Sequence, residues 1–76
     1  MIKKNLSNCL KEVFKKEKIP KNIDSLKFGS FNSWDSLGHV NLLLSIEKKF
    51  KFKFSFDEMY KVKTIKEIIR KINKLK

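Results

Sequence analysis

The chain has few of the residues on which disulfide and metal chemistry depend, with one cysteine and one histidine among its 76 residues. A single cysteine excludes a disulfide within the chain and implies no oxidising compartment, and one cysteine with one histidine does not supply the ligands of a metal site. No apolar run is long enough to span a bilayer or to form a secretory signal behind the N-terminal lysines. We therefore expect a cytoplasmic protein with no membrane insertion and no bound metal.

Acidic residues are also scarce, since 8 of them stand against 19 basic residues and the formal net charge is +11. Such an excess suggests a basic helical module that binds nucleic acid or an anionic membrane surface. The lysines are spread over the whole chain, however, and Arg70 is the only arginine, the residue favoured for bidentate phosphate recognition. The combined abundance of Lys, Asn, Ile and Phe is typical of an AT-rich genome. We expect no nucleic-acid partner. The basic module remains an alternative that rests on the net charge and on the stripe Lys66, Arg70 and Lys74.

Apolar residues near the N-terminus recur with helical spacing. They are Leu6, Cys9, Leu10, Val13 and Phe14. This i, i+3, i+4, i+7, i+8 pattern predicts a helix from Lys3 to Lys18, which ends before Pro20 because the residue preceding a proline avoids helical backbone angles. The pattern also predicts that Cys9 is a small core residue rather than a reactive thiol.

A loop that is long for so small a chain, Pro20–Trp34, follows the first helix. Apolar residues recur in it every two to three positions: Ile23, Leu26, Phe28, Phe31 and Trp34. These side chains predict an ordered crossover that is pinned against the helices, with Trp34 as its anchor, rather than a flexible linker.

The second predicted helix, Ser36 to about Lys49, is apolar over more than half of its circumference. Its inward face is predicted to contain Val40, Leu43, Ile46 and Phe50, flanked by Leu42. Leu37 and Leu44 fall on a second, narrower sector near Asn41 and Lys48. The pattern leaves two interpretations of this sector open, a contact surface for a partner or packing under the long loop.

The segment Phe50–Phe56 alternates apolar and polar residues like a strand, but the chain offers it no partner strand. We expect an extended connector that places Phe52 or Phe54 in the core. Ser55 and Glu58 then match a capping box that opens a short third helix, ending near Tyr60.

Thr64 and Glu67 repeat the capping signal and open the last helix. Its inward residues are predicted to be Ile65, Ile68, Ile69 and Ile72. The prediction for residues 1–76 is therefore one domain with an all-α fold, and a monomer. It is a small four-helix bundle of three main helices and a short third helix, with a long ordered loop between helices one and two.

The tripeptide Asp-Ser-Leu occurs twice, and only its second copy begins a helix. Ser25 lies inside the loop and is predicted to be a turn residue, whereas Ser36 begins the most apolar helix of the chain. A helix N-terminus presents unpaired N–H groups and the positive end of the helix dipole, which favour a phosphate ester. The alternative is that Asp35 or Ser36 only caps the helix.

With these features the chain resembles the acyl carrier proteins and the related peptidyl carrier domains over nearly its whole length. The resemblance rests on the Asp-Ser-Leu serine after a long loop, the apolar connector, the short acidic third helix and the Thr-initiated fourth helix. It also rests on the helix-two spacing of Val40, Leu42, Leu43, Ile46, Glu47 and Phe50. The sequence of Trp34–His39 is most similar to that of free-standing carriers of specialised pathways, such as those for surface carbohydrates or secondary metabolites.

The resemblance implies a carrier that is not itself an enzyme. A phosphopantetheinyl transferase would use coenzyme A and a metal ion to attach 4'-phosphopantetheine to Ser36. The thiol of that group would then carry an acyl or aminoacyl group as a thioester to loading and acceptor enzymes of a fatty-acid, surface-carbohydrate or secondary-metabolite pathway. Asp35 and Leu37 would flank the site and contact the transferase. Leu37, Asn41 and Leu44 would face partner enzymes.

The resemblance also implies that the inward residues could line a cavity for an acyl chain, with an ordinary core as the alternative. The cavity candidates are Val40, Leu43, Ile46, Ile65 and Ile69. A further possibility is a carrier-like fold that is never modified and serves only as a protein-binding domain.

The chain departs from the family pattern in its charge. Gly38 and Asn41 stand where acidic residues are frequent, and two lysines, Lys48 and Lys49, follow. We therefore expect docking to rest on Leu37 and Leu44 more than on charge, or the partners to be unusually acidic.

The sequence also predicts the backbone conformation of Lys51 and two possible roles for His39. Lys51 stands where glycine is usual, and a left-handed backbone there would cost about 1 kcal/mol. His39 follows Ser36 by three positions. It is expected either to position the phosphopantetheine arm or to be a hydrogen-bonded histidine at the end of the bundle.

Overall fold

The computed structural model describes residues 2–74, which form four helices. These are α1 (Ile2–Val13), α2 (Ser36–Phe50), α3 (Phe56–Lys61) and α4 (Ile65–Lys74). The prediction of a small all-helical bundle with one short helix is confirmed. None of these helices combines the length and the apolar character that crossing a bilayer requires.

The first helix is shorter than predicted, because it ends at Val13 and not at Lys18. Phe14 still donates its N–H to the carbonyl of Leu10 at 2.8 Å, but the chain then turns, and Glu17 donates its N–H to the carbonyl of Phe14 at 3.0 Å. The residues after Phe14 are three lysines and a glutamate, so a further turn would bury no apolar side chain. Packing of an apolar face supplies most of the stability of a helix, and it stops here.

The core is formed by α1, α2 and α4. Its fully buried members are Leu6, Cys9, Leu10, Leu42, Leu43, Ile46, Ile65 and Ile68, with Ile72 almost fully covered. Cys9 lies among them as predicted, and burial raises the pKa of its thiol above the ordinary value of 9.0. The connector was predicted to place Phe52 or Phe54 in the core. Phe54 is the residue that is buried there, and Phe52 is half-buried and packs against the ring of Phe54.

Three residues predicted to face inward do not do so fully, and one of them is Phe50, which is half-buried at the end of α2. Val40 is 42% exposed, and the fully buried position belongs to Leu42. The buried stripe of α2 runs through His39, Leu42, Leu43 and Ile46, so the helix is rotated relative to the prediction and Val40 turns outward. On α4, Ile69 is half-buried at the edge of the core.

The long loop is ordered as predicted, with Ile23, Leu26 and Trp34 buried. Phe31 is half-buried against them, and Phe28 remains 38% exposed. The loop is also tied to the segment before α4. Phe28 donates its N–H to the carbonyl of Lys63 at 2.8 Å, and Ile65 donates its N–H to the carbonyl of Leu26 at 3.0 Å.

The predicted capping residues hold the short helix and the start of α4. Ser55 and Glu58 exchange both capping-box hydrogen bonds, and Glu58 also forms an ion pair with Lys71 of α4. This contact with Lys71, together with the N–H of Ser55, lowers the pKa of Glu58. α3 has no fully buried residue, so these end contacts and the packing of the half-buried Met59 against the core hold it in position.

The C-terminus of α2 is closed by an unusual residue. Lys51 adopts the left-handed conformation, with φ 59° and ψ 50°, and its N–H bonds the carbonyl of Glu47. The strained geometry expected for a lysine in the place of glycine is therefore present.

Candidate functional site

The N-terminus of α2 is capped by Asp35. This residue is extended (φ −99°, ψ −166°), and its Oδ1 accepts the N–H of Gly38 at 2.9 Å. Its carbonyl accepts the N–H of His39 at 2.8 Å. Asp35 is thus the capping residue, and Ser36 is the first residue of the helix proper.

Ser36 is exposed and is not needed for capping. Within residues 2–74, the side-chain hydrogen bonds at this end of α2 involve Trp34, Asp35, Gly38 and His39, and none engages the Ser36 hydroxyl. No acidic residue lies in the first turn of α2. A free hydroxyl therefore sits at the positive end of a helix dipole, which favours a phosphate ester at this position.

The first turn of α2 is in close contact with the loop at Gly38. A Cβ atom placed on this glycine would lie 2.1 Å from the carbonyl oxygen of Ser33 and 3.1 Å from the ring of Phe14. No side chain fits there. This role of Gly38 was not predicted, although a glycine in the first turn of an apolar helix is itself a sign of close backbone approach.

His39 is held by the anchor of the loop. Trp34 is 1% exposed and donates its indole N–H to Nδ1 of His39 at 2.9 Å, and the two rings are stacked. The expectation of a hydrogen-bonded histidine at the end of the bundle is confirmed. Because Nδ1 accepts this bond, the neutral ring carries its proton on Nε2.

Nε2 of His39 is buried and has no hydrogen-bond partner within residues 2–74. Burial lowers the pKa of His39 below its ordinary value of 6.5, while the backbone carbonyls of Val62 and Met59 act in the opposite direction to a smaller extent. These carbonyls approach the ring without completing a hydrogen bond to Nε2. His39 therefore presents an unsatisfied donor, and such groups are rare in native proteins.

An open cleft, the α2–α3 cleft, lies beside Ser36 and has a volume of about 410 Å³. It is lined by Phe28, Ser36, His39, Val40, Phe56, Met59, Tyr60 and Lys63. Phe56 and Tyr60 are 92% and 81% exposed, so α3 contributes a largely uncovered aromatic wall. The cleft adjoins the candidate attachment residue and is mainly apolar.

The predicted partner-facing residues lie on the surface of α2. Leu37 is 70% exposed and Leu44 is 47% exposed, so neither packs under the long loop. Asn41 is exposed beside them and shares with Leu44 a second groove that also contains Phe52. Of the two interpretations of this sector, packing under the long loop is therefore wrong.

Four of the five acyl-cavity candidates belong to the packed core, and only Val40 lies apart from it. Leu43, Ile46 and Ile65 are fully buried in the packed core, and Ile69 lies at its edge. Val40 lines the α2–α3 cleft instead.

The basic stripe on α4 is solvent-exposed, with Lys66, Arg70 and Lys74 all on the surface. Within the part of the chain that the structure describes, no three metal-ligating side chains come together.

Comparison with known proteins identifies the family. A family model for the phosphopantetheine attachment site matches residues 34–72, which is more than half of the chain. The chain belongs to this family, and the resemblance derived from the sequence is confirmed. Neither the curated proteins nor the solved structures gave a match.

Membership has direct consequences. Domains of this family are non-catalytic carriers with covalently attached 4'-phosphopantetheine, so this chain is a carrier and not an enzyme. A carrier of this kind interacts with a phosphopantetheinyl transferase and with acyl-handling enzymes. The residues at the start of α2 fit the group, because Ser36 offers an exposed, unengaged hydroxyl beside an open cleft.

Proposed function

We propose that this chain is an acyl carrier protein modified at Ser36. The observation that carries the proposal is the division of roles at the start of α2, where Asp35 satisfies the cap and leaves the adjacent serine exposed and unengaged. Ser25, the serine of the other Asp-Ser-Leu, lies in a turn and opens no helix. It therefore lacks the dipole that stabilises a phosphodiester.

The modification is a phosphoryl transfer from coenzyme A, catalysed by a separate transferase with a metal ion. A bond forms between Oγ of Ser36 and the phosphorus that bears the pantetheine. The pyrophosphate bond of coenzyme A breaks, adenosine 3',5'-bisphosphate leaves, and the serine proton passes to a base of the transferase. The prosthetic group then supplies the thiol that holds an acyl or aminoacyl group as a thioester.

The docking surface proposed for partner enzymes is the exposed side of α2. Leu37 and Leu44 supply its apolar contacts, Asn41 lies between them, and Asp35 borders the attachment site. The only carboxylate of α2 is Glu47, which accepts the N–H of Phe54 at 2.6 Å. Docking therefore depends on apolar contact, and the partner surface opposite Lys48 is not a basic one.

The proposed pathway type follows the free-standing carriers of specialised pathways that the Trp34–His39 segment resembles. We also propose that residues 1–76 form one carrier unit that works as a monomer in the cytoplasm. The basic binding module is the weaker alternative. The family match accounts for the site at Ser36, and lysines exposed to solvent on α4 need no nucleic-acid or membrane partner.

The experiment is intact-mass measurement after incubation with coenzyme A, magnesium and a broad-specificity transferase. Wild-type protein and Ser25→Ala should each gain one phosphopantetheinyl group, and Ser36→Ala should gain none. Ser25→Ala is the matched control, since it alters the same tripeptide in the loop. A Ser36→Ala protein that gains the group, or a folded wild type that gains none, overturns the proposal.

A further inference from the structure

Four lysines from two separate segments share one surface of the protein. Lys3, Lys4 and Lys11 lie on α1, and Lys21 follows the turn after that helix. All four line a single groove of about 320 Å³, so the segment after the turn runs back beside α1. This surface, the α1 lysine face, brings together charges that are far apart in the sequence.

The positive charge of the α1 lysine face is largely unpaired. None of the residues that line its groove carries a carboxylate. Lys3 forms an ion pair with Asp24 at 3.1 Å, and the other three lysines form none within residues 2–74. Lys3 and Lys4 also lie in the first turn of α1, which has no acidic residue, and so add to the positive end of the helix dipole. The face is therefore complementary to an anionic surface.

Other basic parts of the surface differ, because carboxylates lie among their lysines. Glu67 lies beside the basic stripe of α4. The groove next to Leu44 contains Lys48 and Lys53, but it also contains Glu12 and Glu47. Compared with these surfaces, positive charge is concentrated on the α1 lysine face.

The kind of side chain on this face indicates which anion it fits. The residues that line its groove include no arginine, the residue suited to bidentate binding of a single phosphate. Its four lysines are exposed, so no buried charge builds a pocket for one bound ion. Exposed lysines on long side chains are attracted by the diffuse negative charge of anionic lipid headgroups, which requires no fixed geometry.

We infer that the α1 lysine face holds this carrier reversibly against an anionic membrane surface. The face shares no lining residue with the α2–α3 cleft or with the groove next to Leu44. Ser36 and the proposed docking side of α2 are therefore not part of the contact. The contact is electrostatic, requires no helix to enter the bilayer, and does not depend on attachment at Ser36.

Co-sedimentation of the full, unmodified chain with lipid vesicles tests the inference. Vesicles of phosphatidylcholine and phosphatidylglycerol in equal parts should bind the wild type, and vesicles of phosphatidylcholine alone should not. Added salt should release the protein, because it screens exposed charges. A triple variant with Lys4→Gln, Lys11→Gln and Lys21→Gln should bind about a hundredfold more weakly, since each lysine near an anionic surface contributes about fivefold.

The matched control is a triple variant with Lys66→Gln, Arg70→Gln and Lys74→Gln. It removes the same charge from exposed positions on α4. It should weaken binding by less than about tenfold, because these groups lie outside the contact and act only through the screened net charge. Circular dichroism should show wild-type helix content for both triple variants, since only exposed side chains are changed.

Four results would overturn the inference. Equal weakening in the two triple variants would show that net charge alone attracts the protein. Equal binding to the two kinds of vesicle would show that lipid charge does not matter. Release by inorganic phosphate, but not by chloride at the same ionic strength, would indicate a site for a single phosphate. Tighter binding to a DNA duplex than to the anionic vesicles would indicate a nucleic-acid partner in place of the membrane.

Discussion

The indole N–H of Trp34 and Nδ1 of His39 are joined by a buried hydrogen bond of 2.9 Å. This bond connects the end of the long loop to the first turn of the helix that begins with Ser36. Together with the contact between Gly38 and the carbonyl of Ser33, it sets where the serine lies relative to the α2–α3 cleft. The geometry of the candidate site thus depends on loop residues as much as on the helix.

Removing this bond should destabilise the protein. It should also allow the proton of the neutral His39 ring to occupy either nitrogen. Trp34→Phe keeps an aromatic ring in the site but leaves Nδ1 without its donor, and we expect a loss of about 1–3 kcal/mol in the free energy of unfolding. Urea denaturation measures the loss. Long-range proton–nitrogen NMR should show the Nε2–H tautomer in wild type and a mixture in the variant. A variant with wild-type stability and an unchanged tautomer would contradict the role of this bond.

Stability should fall as the pH is lowered below about 6.5, the pKa of a free histidine. Burial lowers the pKa of His39 in the folded state, so between the two pKa values the unfolded chain binds a proton that the folded chain does not. The free energy of unfolding then decreases with falling pH, by at most about 1.4 kcal/mol per pH unit, until the pH passes the folded pKa.

His39 is the only histidine, so this window is not shared with another one. Denaturation at several pH values between 7 and 5 measures the slope, and His39→Gln should flatten it. A wild-type stability that is constant over this range would show that the imidazole is not shielded.

Gly38→Ala should be strongly destabilising, because its methyl group would lie 2.1 Å from the carbonyl oxygen of Ser33. Either the loop or the start of α2 must move, and we expect a cost of about 3 kcal/mol, at the upper end for overpacking. Gly29→Ala is the control, since Gly29 has a positive φ of 88° but open space around its Cβ position.

The control variant should lose only about 1–2 kcal/mol, from backbone strain. A transferase assay on Gly38→Ala should also show slower modification, because the first turn that presents Ser36 is displaced. Equal stability and equal rates for the two alanine variants would rule out the close approach as a constraint.

The modified protein should contain one reactive thiol and the unmodified protein none. Cys9 is fully buried, and burial raises its pKa, so the thiolate required for reaction is both covered and depleted. Titration with a disulfide reagent near neutral pH should label the pantetheine thiol of the folded holo protein only. In denaturant, the count should rise to one thiol for the unmodified chain and two for the modified chain. Fast labelling of Cys9 in the folded, unmodified protein would contradict the packed core.

Much of the fold follows from local patterns in the sequence. The capping signals at Ser55 and Thr64 and the apolar stripe around Leu10 lead directly to the observed helices, because each depends on residues a few positions apart. The end of α1 and the rotation of α2 were wrong in the prediction, since both depend on tertiary contacts. Val40 and Leu42 are equally apolar, and periodicity cannot choose between neighbours on a helix that is apolar over more than half of its circumference.

The candidate site was predictable in part. Ser36 could be singled out because a helix N-terminus is visible in the sequence. The sequence did not show whether Asp35 or Ser36 caps the helix, and only the hydrogen bond from Gly38 to Asp35 identifies Asp35 as the cap. The α2–α3 cleft was not predictable, because it brings together Phe28, Val40 and Lys63 from three separate segments.

Locating the added group within the modified protein shows directly whether Ser36 is the attachment residue. Cleavage after lysine separates Ser25, in the peptide Asn22–Lys27, from Ser36, in the peptide Phe28–Lys48. We predict that the phosphopantetheinyl mass is found on the second peptide and that fragmentation assigns it to Ser36. Finding the group on the first peptide, on another serine of the second peptide, or on neither peptide would contradict attachment at Ser36.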